Sequence, residues 1–325
     1  MAGVSQSAVS RTFAGGAKVS EATRKKVLEA AGRLDYRPSL IPRIMLTHRS
    51  NLVAIVVGGL YNPFYSSVLE QFTIKFQAAG YQVLLVHVEN DHALDEVIPK
   101  LAMYRVDAIV SALAILSPQG AQTLAKLRIP VISFNSTVRN EWVTPISCDN
   151  VQAGRQIADL FVTNGARSFG FISGPVSSPA SAGRLRGFAE RLRELDVGPL
   201  KAARGDYRYH GGFAAAKELF SSAGRPDALF CANDLLAIGA IDCLRKTKGV
   251  RVPDDVMVAG FDNIPEASWA SVDLTTFVQD GARMVDEALA IVTATEGGNR
   301  PGEEAIVIPT KLIERGTTAS PRIVD

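Results

Sequence analysis

The sequence predicts an α/β protein built as two doubly wound parallel-sheet lobes, preceded by a small all-α segment. Three observations carry that expectation. From Leu52 onward, short apolar runs of strand length alternate with helical stretches, the pattern of parallel strands buried on both faces. The chain has 325 residues, and a typical domain has roughly 100–200, so more than one core is expected. Charge is also unevenly divided. Residues 1–50 hold nine basic groups against three acidic ones, a net of +6, whereas the other 275 residues carry 26 and 30, a net of −4. A basic arm on a mildly acidic body points to a polyanion contact at one end only.

In chain order, Ser5 can cap a first helix that puts Val4, Ala8 and Arg11 on one face. Gly15 and Gly16 end it, and Ser20 opens a second helix, Glu21–Arg33, with Val27, Leu28 and Ala31 as its apolar face. Two short helices exposing Arg and small polar groups suit a major groove, with Ser hydroxyls on phosphates and Gln or Arg on base edges. Strands are predicted at 52–57, 81–88, 106–113, 130–134, 168–173, 227–231, 255–260 and 305–308. Helices are predicted at 63–79, 151–163, 184–194 and 234–247. Strand ends facing each other across two such lobes leave a cleft, the position ligands favour.

Composition excludes several classes. With 47% apolar and 21% charged residues the chain is not a disordered one. Its longest uninterrupted apolar stretch, Leu52 to Tyr61, contains two Gly and falls short of the ~20 residues that span a bilayer. The N-terminus has no apolar signal region, so a cytoplasmic protein without membrane partners is expected. Cys148, Cys231 and Cys243 are odd in number and far apart, and read as buried small hydrophobes. His48, His87, His92 and His210 lack metal-ligand spacing. GxSxG, GxxxxGK[ST] and strand-linked GxGxxG motifs are absent, as is any nucleophile–base pair. No metal, no cofactor and no enzymatic activity are expected.

The run AGVSQSAVSRTFAGGAKVSEATRKKVLEAAGRLDYRPS resembles the headpiece of the LacI/GalR family of transcription regulators, with its pattern AGVSxxTVSRVLN…VSxxTRxxVxxAxxxLxYxPN. The body continues the resemblance. VVGGLYNPFY resembles the first strand and its NPFF-like loop, and IPVISFN resembles IPVVxxD. ISCDNVQAGRQIADLF, GRLRGF, ALFCANDLLAIGAIDCLRKTKGVRVPDDVMVAGFDN, LTTFVQD and IPTKLIERGTT follow the family through to the C-terminus. The resemblance implies a helix-turn-helix headpiece and a periplasmic-binding-protein-like effector core.

The division it implies is headpiece 1–36 and hinge 37–50. The first lobe takes 51–148 and 280–306, and the second takes 149–279 and 307–325. About ten family residues before Ala2 have no counterpart, so the headpiece is expected to lack its first helix. Ala14 stands for the family's Asn. In the hinge Ser39 replaces Asn, Pro42 replaces Ala and Met45 replaces the groove-inserting Leu. Pro fits only the first turn of a hinge helix, and Met can still wedge a base step.

Carried over by position, Gln6, Ser7 and Arg11 would read bases, and Ser5, Ser10, Ser20 and Thr23 would meet or approach phosphates of operator DNA. Arg184, Asn233 and Asp262 match family ligand positions, and each lies at the C-terminal edge of one sheet. A guanidinium fork, an amide and a carboxylate suit vicinal hydroxyls. The structural alternatives are that Asn233 caps a helix beginning at Asp234 and that Asp262 pairs with Arg184. Asn62, Phe64 and Asn135 are the first lobe's candidates, and Asp149 is read as a helix cap. The resemblance implies a homodimeric, ligand-responsive regulator, a repressor with a small sugar-like effector in the cleft. An effector-binding protein without DNA binding is the alternative; a solute-binding protein is the remote one.

Overall fold

The computed structural model describes residues 2–13, 19–37, 44, 49–58, 60–88, 93–112, 117–221, 224–295, 299–302 and 304–318. The chain forms two compact units, Met1–Ser50 and Asn51–Asp325.

The first unit holds α1 (Gln6–Phe13) and α2 (Glu21–Arg33). Ser20 caps α2, its Oγ accepting from the Thr23 N–H at 3.4 Å. Thr12 is the buried residue of α1 and Val27 that of α2, and the Phe13 ring meets Tyr36 edge-on at 5.9 Å. One expectation changes here: Leu28, read as part of the apolar face of α2, points outward at 47% exposure. Arg11 on α1 is exposed as well. Ala14, Ser39, Pro42 and Met45 lie outside the described residues.

The second unit is built on two parallel sheets. The first has strand order β11-β5-β4-β3-β1-β2. These are β1 (Leu52–Val57), β2 (Gln82–His87), β3 (Ala108–Ala112), β4 (Val131–Phe134), β5 (Val143–Cys148) and β11 (Ile306–Ile308). Along β1, Val53, Ile55 and Val57 join one core while Ala54 and Val56 join the other. That two-sided burial is why the strand reads as an unbroken apolar run. One face is covered by α3 (Pro63–Ala78) and α10 (Gly281–Ala294), the other by α4 (Ala93–Met103) and α5 (Pro118–Leu127).

The second sheet has the order β7-β6-β8-β9, formed by β6 (Phe169–Ser173), β7 (Leu200–Arg204), β8 (Ala228–Cys231) and β9 (Met257–Ala259). Its helices are α6 (Asn150–Thr163), α7 (Pro179–Glu194), α8 (Tyr209–Leu219) and α9 (Asp234–Cys243). Helices α6 and α7 cross almost in backbone contact. A Cβ on Gly154 would lie 2.2 Å from the Arg184 carbonyl oxygen, and one on Gly187 would lie 2.0 Å from that of Val151. This close approach, possible only with glycine, fixes the part of α7 that carries Arg184. A small antiparallel ribbon, β10 (Thr276–Gln279) with β12 (Thr310–Ile313), completes the unit.

The eight predicted strands all form. β5, β7, β10 and β12 were not read as strands, and neither were α4, α5 and α8 as helices. β5 carries Pro145, whose ring cannot donate to a ladder. The others are short or polar on one side, and α8 contains two adjacent glycines. β11 runs to Ile308 and pairs with β5 over its whole length, so the first sheet passes the expected break after 306.

Candidate functional site: an interlobe cleft and an exposed helical surface

Nearly every polar residue of the cleft sits where a strand ends and a helix begins. Asn62 follows β1 and caps α3, its Oδ1 accepting from the Phe64 N–H at 3.0 Å. Asn135 follows β4, Asn233 follows β8, and Asp262 lies three residues beyond β9. Arg184 enters from the second turn of α7. Asp149 caps α6 as expected, accepting from the Gln152 N–H at 3.0 Å.

Asp262 belongs to both lobes. Its Oδ2 accepts from Asn62 Nδ2 at 2.8 Å and its Oδ1 from Gln279 Nε2 at 2.6 Å. Gln279 Oε1 in turn accepts from Cys148 Sγ at 3.0 Å. This buried chain runs from the β1–α3 loop of the first lobe to the ends of β10 and β5, where the chain crosses between lobes. Burial pushes the Asp262 carboxyl upward, opposed by the charge of Arg184. Asp234 behind it is raised by burial and then by the Asp262 charge, while Thr276 Oγ1 donates to it at 2.6 Å and the Ile264 N–H at 2.9 Å. Burial pushes the Cys148 thiol up to about 12, which keeps it a donor.

Arg184 is only 3% exposed. Its Nε donates to Asn150 Oδ1 at 2.8 Å, its Nη1 donates to the Ala232 carbonyl, and its guanidinium carbon lies 3.4 Å above the Phe261 ring. It makes no hydrogen bond to Asp262 among the described residues, so the structural alternative of an Arg184–Asp262 pair gives way to Asp262 bonded to Asn62 and Gln279. For Asn233 the structural alternative is what forms. Its Oδ1 accepts from the Leu236 N–H at 3.0 Å, capping α9, and its Nδ2 donates to the Tyr207 carbonyl at 3.1 Å.

Asn62, Asn135, Arg184, Asn233 and Asp262 line one small cavity of about 30 Å³, together with Tyr61, Tyr65, Ser178, Ala180 and Tyr207. Phe64 is not at that wall: it is half-buried against the core, with its ring 5.2 Å from Tyr65 and edge-on to it. The tyrosines were missed in the sequence. Tyr65 directly follows Phe64 in the NPFY loop and was the readable signal. Burial is the main cause that raises Tyr65 and Tyr207, so both stay protonated, and the Tyr207 hydroxyl is 2.5 Å from Ser178 Oγ.

Backbone strain gathers at the same cavity. Asn135 (φ 55°), Tyr207 (φ 65°) and Asp262 (φ 124°) all occupy positive φ, each costing of order 1–3 kcal/mol and typical of ligand clamps. The Asn135 Oδ1 atom is buried with no hydrogen-bond partner among the described residues, and Asn135 is one of the cavity's lining residues.

In the first unit, Ser5, Gln6, Ser7, Ser10 and Arg11 are exposed along α1. Ser5 Oγ accepts from the Ala8 N–H at 3.3 Å and lies 2.9 Å from Ser7 Oγ. Ser20 is exposed and Thr23 half-buried, their hydroxyls 2.8 Å apart at the head of α2. A concave apolar surface of about 360 Å³ lies between the helices, walled by Val9, Phe13, Val27, Ala31, Leu34 and Tyr36 among others. Among the described residues no cluster of His, Cys, Asp or Glu could hold a metal ion, and no helix is long and apolar enough to cross a membrane.

Comparisons with known proteins find relatives for both parts of the chain. Residues 1–39 match the family of bacterial regulatory proteins, lacI family, and residues 158–318 match the periplasmic binding protein-like domain. The HTH-type transcriptional repressor PurR of Edwardsiella ictaluri (strain 93-146) is 29% identical over 329 residues, covering 100% of this chain and 96% of the relative. The transcriptional regulator CelR in complex with cellobiose shares 28% identity at a TM-score of 0.73, covering 97% of each chain. The Lac repressor dimer bound to operator and the anti-inducer ONPF shares the fold at a TM-score of 0.84, with 24% identity and 98% and 97% coverage. A regulator-type helical unit, a binding-protein-type α/β unit and a repressor relative aligned from end to end lead to one assignment: the chain carries a LacI-family helix-turn-helix region followed by a periplasmic-binding-protein-like domain.

Proposed function

We propose that this regulator is a repressor whose effector is a small sugar-like molecule held between the lobes by Arg184, Asn233 and Asp262 from the second and by Asn62 and Asn135 from the first. The observation that carries the reading is the shared carboxylate. Asp262 lines the cleft yet is tied to Asn62 across it, so a ligand hydroxyl that takes over this acceptor changes how the lobes are held. The unpartnered Asn135 Oδ1 offers a second acceptor. Ligand pockets usually measure about 300–1,000 Å³, so the lobes part to admit the effector and close on it. The CelR–cellobiose likeness supports a sugar.

In this reading Gln6, Ser7 and Arg11 meet base edges and Ser5, Ser10, Ser20 and Thr23 meet or approach the backbone of operator DNA, with Met45 at the hinge. The protein acts as a cytoplasmic homodimer and not as an enzyme, and two half-sites multiply a modest affinity. In this reading the first lobe takes 51–148 and 280–306 and the second 149–279 and 307–325, a division that the two sheets support apart from the extension of β11 to Ile308. Effector and DNA are coupled reciprocally: an inducer binds the DNA-free state better.

The test is operator binding by fluorescence anisotropy, with and without a panel of pentoses, hexoses and cellobiose. A sugar-dependent shift in the wild type is expected. D262N is expected to keep operator binding and to weaken the sugar response by about 100-fold, or ~2.8 kcal/mol. An unchanged response in D262N overturns the site. A second reading, an effector-binding protein that does not hold DNA, is favoured by the open apolar hollow beside α1. Absence of salt-sensitive operator binding, with sugar binding intact, would select it.

A further inference from the structure

The charged residues lining the cavity are one guanidinium and one carboxylate, Arg184 and Asp262. Arg184 uses Nε and Nη1 within the protein and leaves Nη2 without a hydrogen bond among the described residues. A second guanidinium stands at the mouth. Arg208 directly follows the cleft residue Tyr207 and is exposed, with its carbon 4.0 Å from the centre of the Tyr61 ring. Tyr61 belongs to the first lobe and Arg208 to the second, so this stack spans the opening. Among the described residues the Arg208 guanidinium has no carboxylate partner. Asp206, its nearest acidic neighbour in sequence, accepts at Oδ1 from the Arg208 backbone N–H at 2.9 Å. The Tyr207–Arg208 segment is held by the Asn233 Nδ2 bond to the Tyr207 carbonyl, so the guanidinium is tethered at the rim.

A guanidinium resting on an aromatic face is readily exchanged. The stack at an exposed site is weak, whereas a planar fork meeting a phosphate or carboxylate makes two parallel charge-assisted hydrogen bonds. Deeper in, the site is supplied with polyol partners: Asn135 Oδ1 lacks a donor, and Asp262 and Arg184 face the same cavity.

Resting on the reading of the cleft as the effector site, we infer that the effector is an anionic sugar. Its hydroxylated body contacts Asn135, Asp262 and Arg184, and its phosphate or carboxylate lies at the mouth, received by Arg208 as it swings off the Tyr61 ring. Arg208 is then the residue that selects charged over neutral sugars, and the Tyr61–Arg208 stack is the resting position of that selector.

Thermal denaturation of the full chain tests this, using glucose, glucose 6-phosphate and gluconate, ribose and ribose 5-phosphate, and inorganic phosphate against sodium chloride at matched ionic strength. The phosphate and acid arms separate the two sources of anion. In the wild type, inorganic phosphate and at least one anionic sugar are expected to raise Tm, with the anionic sugar at least tenfold tighter than its neutral parent, ~1.4 kcal/mol. R208Q, at an exposed position, is expected to fold as the wild type does by circular dichroism and to lose that tenfold preference. A neutral sugar equal to or better than its anionic form overturns the inference. So does a preference that survives in R208Q, or a wild type that no anion stabilises. D262N keeps the two levels apart. If D262N abolishes sugar responses while R208Q changes nothing, the cleft reading stands and the anionic effector falls. If D262N leaves every response intact, the cleft reading itself falls.

Discussion

The two lobes contribute opposite chemistry to one cleft. The first supplies neutral groups on loops and helix starts: Asn62, Asn135 and the tyrosines 61 and 65. The second supplies the charges, Arg184 and Asp262, each more than nine-tenths buried, with Arg208 exposed at the rim. The difference follows from how each group is supported. A buried charge is tolerated only when several fixed partners compensate its desolvation. Arg184 has three, in Asn150, the Ala232 carbonyl and the Phe261 ring. Asn135 needs only the loop after β4 and retains a vacant acceptor. The second lobe therefore acts as the rigid, charged half of the site and the first as its adjustable, neutral half.

Removing Arg184 should break this contrast most severely. R184A strands the Asn150 and Ala232 acceptors and opens space beside Phe261, so unfolding free energy should fall by about 3–5 kcal/mol, and effector binding should be lost with it. Denaturant unfolding paired with calorimetric titration reads both. R184K should recover part of the stability but not the binding, because an ammonium cannot reproduce the planar fork.

The adjustable half should separate the two properties. N135G, which tolerates the positive φ of this position, is expected to leave stability within about 0.5 kcal/mol of wild type and to weaken a hydroxylated effector by roughly tenfold. N62A loses a helix cap worth about 1 kcal/mol along with the bond to Asp262, so it should lower stability first. Equal stability losses in the two variants would erase the distinction between latch and contact.

The smallest effect is expected far from the cleft. The Arg155 and Arg191 side chains hold Glu194 down to about 2. Its folded-state pKa is depressed, so its stabilising contribution is complete above the ordinary carboxylate value of about 4.3 and fades as pH falls toward 2. E194Q should thus trail the wild type slightly at neutral pH, and the gap should close on acidification; both groups are exposed, so screening keeps it small. A gap that widens in acid would contradict the assigned pairing.

Much of this was readable in the residues. β1, β4 and the strands before Arg184, Asn233 and Asp262 are apolar runs long enough to be strands and too short to be helices, and the cleft falls at their C-terminal ends by the geometry of parallel sheets. Ser20, Asp149 and Asn233 announced helix starts because their side chains reach a backbone N–H two or three residues on, a purely local matter. β5, β10 and β12 were not readable: Pro145 and short polar strands are acceptable only because particular neighbours supply the missing partners.

The sequence by itself determined the division of charge, the order of the strands along the chain, the caps, and the polar residues at strand ends, since all depend on near neighbours and on burial pattern. Tertiary structure alone decided which aromatic lines the cleft. Phe64 and Tyr65 are adjacent, but one residue of helix is about 100° of rotation, and packing sends Phe64 to the core and Tyr65 to the cavity. It decided likewise that Asp262 answers to Asn62, 200 residues away, and that Arg208 rests on Tyr61. Partners so distant in sequence meet only because the folded lobes bring them together.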